Sequence, residues 1–409
     1  MRVLNVLLII LLLCASGIAQ TFQSNDRAVY SEVTPGFYQD SILKSLDGAV
    51  NDPKTTRRVL GVDLAHYSFP TNPDDYKKHW HNKPVSQGST GTCWSYAAVS
   101  LMESEAYRIS GNKVKLSEMY MVYWEYVARA EYFVEKRGKM NLGEGSASNA
   151  VTRMMKMHGI VPESIYPGKP KGQAFHDHRK MFEEIRTYLN AIKKDSNWNR
   201  DLIVSTVKSI LNHHMGEPPA LFSFEGQQYT PLSFMTDYIR IRPDDYFSFM
   251  STTSKTYNQK GKFEQPDNWW GSGEYYNVTL DDFVSIMKDA LDKGFTFSIC
   301  GDVSEPGYDK YAEIGVIPTF DIPAAYINED SRELRMYNKT TSDDHCIHFI
   351  GYLVQDDLWW FMIKDSGSGA FDGPNKGYRF IREDYVRLKV MAVMVHKEGA
   401  RRVLDKIIK

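Results

Sequence analysis

The chain has 409 residues, of which 42% are hydrophobic and 24% charged. That balance excludes a disordered polymer and suits one large globular domain or two modest ones. A formal net charge of −2 gives no global reason to expect nucleic acid or an anionic membrane as a partner. The aromatic content of 13% points to a large core with aromatic-lined clefts.

Residues 2–19 read as a secretory signal. Arg2 is a minimal basic start, Val6 to Cys14 is an unbroken apolar run, and Gly17-Ile18-Ala19 offers small residues for cleavage before Gln20. The run is too short to span a bilayer comfortably. The expectation is an exported chain, periplasmic or extracellular, with no stable membrane anchor. Loss of the signal removes Cys14 and leaves Cys93, Cys300 and Cys346. If Cys93 is a nucleophile, Cys300 and Cys346 either pair or both stay reduced, and spacing alone does not choose. No Cys/His grouping has zinc-site spacing, so neither a metal nor an organic cofactor is implied.

Residues 20–83 form a polar N-terminal arm punctuated by Pro35, Pro53, Pro70 and Pro73. His79-Trp80-His81 has the alternation of two ligands on a strand, but no carboxylate or third histidine lies nearby in sequence. Residues 84–168 carry the stretch Gln87-Gly-Ser-Thr-Gly-Thr-Cys93-Trp94-Ser-Tyr-Ala-Ala. Small turn-prone residues precede the cysteine, and Ala97, Ala98, Leu101, Met102 and Ala106 follow near a 3.6-residue period. A helix is predicted to begin at or just before Cys93 and to end at Gly111. A thiol at a helix N-terminus faces unpaired N–H groups that favour thiolate. Gln87 could donate to an oxyanion beside the sulfur. A cysteine here could instead be buried and structural; the glutamine, the loop and the helix start together favour a nucleophile.

Ser117 is a predicted N-cap for a helix through Val134, rich in buried aromatics. Gly143-Glu-Gly145-Ser is a turn that lets another backbone approach, before a helix over 147–158. Residues 169–274 read as an insertion: a charged helical part (His178 to His214), then Gly216-Glu-Pro-Pro and a Trp269-Trp270 loop folding back on the body. His176-Asp177-His178 and His213-His214 read as solvated or capping residues. Residues 275–395 open with a helix capped by Thr279 and Asp282 and ended at Gly294. They continue as mainly β-structure, with strands over 295–302, 347–354, 358–364 and 377–381. Residues 396–409 form a basic tail.

A thiolate needs a base, and the base an orienting group. Among the eleven histidines, His345 has the best setting, where Ser-Asp-Asp-His345 enters an apolar strand. Alternation sends His348 to the opposite face. Asp365, at the mouth of the glycine turn after Trp359-Trp-Phe-Met-Ile-Lys, could accept from the His345 ring. An aspartate that merely caps a turn is the common alternative.

Gln87 to Ala98, His345 to Gly351, Ile363-Lys-Asp365-Ser-Gly and Gly377-Tyr378 stand in the order found in papain-superfamily cysteine peptidases. Tyr123-Trp-Glu-Tyr-Val-Ala-Arg-Ala-Glu-Tyr-Phe133, Gly216 to Glu225 and Phe297 to Val303 give a closer likeness to the bleomycin hydrolase and bacterial aminopeptidase C branch. The resemblance covers roughly residues 75–397. It implies an α+β papain-like fold, a helical half holding Cys93 and a β half holding His345 and Asp365, with the cleft between them. It implies Cys93 as nucleophile, His345 as base and acid, Gln87 as oxyanion donor, and substrate contacts at Gly145 and Trp94.

Two departures stand out. Asp365 replaces the family's asparagine and Gly367 its tryptophan. The tail is shorter than the arm that restricts these relatives to free N-termini within a hexameric ring, so a homo-oligomer rests on the likeness alone. The function expected is an exported, aminopeptidase-like cysteine peptidase acting on peptides. The alternatives are a catalytically weak peptide-binding protein and a small-amide hydrolase using the same thiol.

Overall fold

The computed structural model describes residues 26–48 and 57–408; the signal-like segment lies outside them. An N-terminal hairpin pairs β1 (Ala28–Glu32) with β2 (Arg58–Val62). The helical layer contains α1 (Cys93–Ser110), α2 (Glu118–Glu135), α3 (Asn149–His158), α4 (Arg179–Asp195) and α5 (Arg200–Met215). The sheet half interleaves β3 (Tyr246–Met250), β4 (Tyr275–Asn277), α6 (Leu280–Asp292), β5 (Phe297–Gly301), α7 (Glu329–Tyr337), β6 (His345–Gln355), β7 (Leu358–Lys364), β8 (Tyr378–Arg382), α8 (Glu383–Lys389) and β9 (Val390–His396). It ends in α9 (Arg401–Ile407). The main run of the sheet is β8–β7–β6–β5–β9–β3–β4, antiparallel except where β3 meets β4.

Helix boundaries follow the caps read from sequence. Ser117 accepts from the Tyr120 N–H and Thr279 from the Asp282 N–H, while Gly111 closes α1 in the left-handed region. The stretch expected to be mainly β also holds α7 and α8, and the tail holds α9. α8 and α9 have seven residues each, short for a periodic signal to emerge beside strands.

α1 is buried along almost its whole length, from Cys93 to Ala106, because it lies between the other helices and the sheet. On β6, Cys346 belongs to the helical-side core, and His348 donates to or accepts from Ser100 of α1 at 2.8 Å. Ile347 and Phe349 join the core on the other face. The alternation read from sequence therefore holds for residues 346–349, with His348 engaged by Ser100 further along α1. A buried charge group also joins the layers. Lys115 reaches Glu103 of α1 at 2.9 Å and contacts Glu118, and Lys364 at the end of β7 lies 3.9 Å from Glu103.

Cys300 and Cys346, directly opposed on β5 and β6, form a disulfide, which settles the choice that spacing left open. His178 is not solvated. It is buried beneath the turn before α4, 3.6 Å from Glu144. The Trp269-Trp270 loop folds back as expected, and Trp269 donates its indole N–H to Glu125 at 2.8 Å. His79 and His81 diverge: His79 bonds the Leu291 carbonyl, and His81 the Tyr378 hydroxyl.

Candidate active site

Cys93 is the first residue of α1. Thr92, which precedes it, spends no side-chain bond on the helix; its hydroxyl pairs with that of Thr90 at 2.6 Å. The N-terminal turn thus keeps its dipole and N–H groups for a sulfur or an oxyanion. Cys93 is buried to 9% exposure and is the free cysteine among the described residues.

His345 opens β6. Its Nε2 lies 2.7 Å from Asp365 Oδ1, and Cys93 is close enough to act on the ring electrostatically. Burial opposes a charged ring, but the Asp365 carboxylate and then Cys93 outweigh it. The His345 pKa is held well above the ordinary histidine value. Asp365 follows β7 directly. Burial pushes its carboxyl up, yet His345, Arg379 and the Gly367 N–H (2.8 Å) hold it below the usual carboxylate range. Its second oxygen faces the Tyr308 hydroxyl at 3.4 Å and Arg379 Nε at 3.7 Å. Gly367 lies so close that a Cβ there would come 3.3 Å from the His345 ring.

Gln87 is locked before it can act. Its Nε2 donates to the Thr90 carbonyl (2.7 Å), Ser366 Oγ donates to its Oε1 (2.8 Å), and its own N–H bonds the Ser366 carbonyl (2.9 Å). One amide hydrogen remains for a ligand. Gly145 lies on the opposite side, its carbonyl held by Arg129. Trp94 requires a correction. It is fully buried and donates to the Glu144 carbonyl at 3.2 Å, so it props the glycine turn from beneath and does not line the cleft. Being large and apolar at the start of a buried helix, it belongs in the core. Glu144 also accepts from the Gly91 N–H at 2.8 Å.

The structure thus brings Cys93, His345, Asp365 and Gln87 together. Tyr308, Arg379 and Ser366 escaped the sequence reading, because none carries a local pattern that distinguishes it from an ordinary strand or turn residue. Beside His345, Asp365 and Gly367 lies a cavity of about 810 Å³, bounded by the β1–β2 hairpin and by Val303 to Tyr311.

A mixed α+β body with a cysteine at a helix N-terminus facing a histidine on a strand is the layout of papain-like peptidases. The model for the Peptidase C1-like family matches residues 73–407, and the chain belongs to that family, on the aminopeptidase C side of the papain superfamily. Aminopeptidase C from Listeria monocytogenes is 22% identical over 55% of this chain and 59% of its own length. Aminopeptidase C from Listeria innocua is 24% identical over 66% and 67%. The chain therefore spans roughly six tenths to two thirds of the curated relatives it matches. The solved structure of PepW from Lactobacillus rhamnosis HN001 overlays with a TM-score of 0.66 at 18% identity, covering 83% of this chain and 85% of that one. That likeness bears on the fold.

Proposed function

We propose that this protein hydrolyses peptide bonds as a thiol peptidase of aminopeptidase-like character. The observation that carries the reading is the His345 ring set between Cys93 and Asp365. Cys93 sulfur attacks the carbonyl carbon, and the oxyanion takes the free amide hydrogen of Gln87 and the Cys93 backbone N–H. His345, kept protonated by Asp365, gives its proton to the departing amine, which leaves on the side of the large cavity. It then takes a proton from the water that opens the thioester, regenerating the thiol site.

The test is labelling of the protein with an iodoacetamide probe across pH 4 to 9, in wild type and His345→Ala, with the modified residue located by mass spectrometry. Rapid labelling of Cys93 below pH 7 that is lost in His345→Ala supports the reading, and a peptide panel follows. Labelling no faster than an ordinary thiol in both forms refutes it.

Export belongs to the same proposal. A disulfide beside the site is supported by oxidising compartments and rarely persists in the cytosol. The check is the N-terminus of the mature chain recovered outside the cytoplasm, expected at Gln20. A protein found only in the cytoplasm with residues 2–19 intact refutes export. Among the described residues no helix is long and apolar enough to cross a membrane.

A further inference from the structure

Asp267 lies against Gly145, and its charge acts on a second carboxyl, that of Asp343. A Cβ on Gly145 would come 2.4 Å from Asp267 Oδ1, so this carboxylate lies against the glycine face along which a substrate main chain would pass. Asp267 is delivered by a braced loop. Asn268 donates to the carbonyls of Phe263 and Ser272, both at 2.9 Å, and Trp269 is bonded to Glu125. The charge that supports Asp267 is Arg129, whose two terminal nitrogens bond the carbonyls of Gly143 and Gly145 and whose guanidinium lies over Trp269, 4.9 Å from the ring centre, while its Nε stays unpaired.

Asp343 stands two residues before His345. Both of its oxygens are sealed from solvent and accept no hydrogen bond. A carboxylate oxygen lies within 4.8 Å of both sulfurs of the Cys300–Cys346 disulfide. The charges that act on it are Asp267, Asp344 and Asp302, opposed by His345. Burial and then Asp267 push its carboxyl well above the usual range, and burial takes Asp267 to about 6. Two carboxyls facing each other without donors are a site prepared for a cation that brings its own N–H groups.

We propose that Asp267 and Asp343 bind an ammonium group of the substrate, on the Gly145 side of Cys93. The inference rests on the peptidase reading and deepens it. α9 is pinned to α6 through Arg402–Asp289 (2.7 Å) and Lys406–Asp282 (2.6 Å). Asp267 lying on Gly145 also shortens the cleft on that side. The ammonium has two possible sources of the same chemistry, the free N-terminus of a short acyl segment or a lysine side chain.

The experiment measures binding to the full chain carrying Cys93→Ala, by calorimetry. Three peptides are compared: one with a free N-terminus, its N-acetyl form, and an N-acetyl form with lysine preceding the residue at the scissile bond. At least one cationic peptide is expected to bind about tenfold or more tightly than the neutral one. Asp343→Asn and Asp267→Asn, each in the Cys93→Ala chain, are expected to remove that preference. Which cationic peptide wins identifies the source. Equal affinities, no binding of any peptide, or a preference untouched by both substitutions overturns the proposal. Asp267→Asn alters a half-buried loop residue and keeps the test valid if Asp343→Asn disturbs folding. Because no turnover is required, failure of the thiol chemistry in the labelling assay is read separately.

Discussion

Asp365 gives His345 a charge where papain-like relatives give it a neutral amide: Oδ1 sits 2.7 Å from Nε2, and the other oxygen is steadied by Tyr308 and Arg379. A raised histidine pKa means that the charged ring, with the stabilisation it contributes, is fully present below the ordinary histidine value. It is lost only as pH rises through the raised one. The protonated His345 ring therefore persists to higher pH than an ordinary histidine. Asp365→Asn is expected to move the alkaline limb of kcat/KM to lower pH. An unchanged alkaline limb would contradict the role assigned to the carboxylate.

Gln87 is held by three bonds and keeps one hydrogen free. Gln87→Ala should lower kcat by about 10²–10³, the usual loss for one oxyanion donor. The Cys93 labelling rate should change little, since the probe builds no oxyanion. A parallel fall in both would show that Gln87 positions the thiol instead.

Lys115 is a single cation serving two buried carboxylates, Glu103 and Glu118. Lys115→Met leaves Glu118 without its partner and Glu103 with only Lys364 at 3.9 Å, and should cost about 3–5 kcal/mol in urea unfolding at pH 7. The cost should shrink towards acid pH, where the carboxyls become neutral. A loss below 1 kcal/mol would mean that Lys364 takes over.

Gly88 has a φ of +69°, and a Cβ there would meet the His176 carbonyl at 2.3 Å. Gly88→Ala should therefore destabilise by more than the about 1–3 kcal/mol of backbone strain alone. A lowered thermal midpoint is the readout, and slower Cys93 labelling should accompany it, because Gly88 lies between Gln87 and the nucleophile loop.

The disulfide joins residues 46 apart in sequence. Chain-entropy reasoning gives its removal a cost of about 4 kcal/mol. Cys300→Ala/Cys346→Ala should show this in denaturant midpoints, and added reductant should then have no further effect on the variant.

Much of the candidate site was legible because local signals (a helix start at Cys93, a polar turn entering an apolar strand at His345, a strand running into glycines at Asp365) stood in the order of the papain-like resemblance, which is what assigned His345 and Asp365 their roles. What escaped reading depends on distant contacts. Trp94 sits beside the thiol in sequence, yet the turn of α1 drives it into the core. His178, in a charged stretch, looked solvated until Glu144 and Tyr126 closed over it. Asp343 passed for part of a polar turn, and only the strand pairing that brings Cys300 opposite Cys346 shows its carboxylate stranded beside them. Helices α7 to α9 are too short to assert a period against neighbouring strands.

Glu144 is gripped at both ends by the nucleophile segment, its side chain by the Gly91 N–H and its carbonyl by the Trp94 indole. The turn at Gly145 and the segment that carries Cys93 are thereby tied to one another through Glu144. Displacing the Gly145 turn therefore means breaking these two bonds or pulling the nucleophile segment along with it.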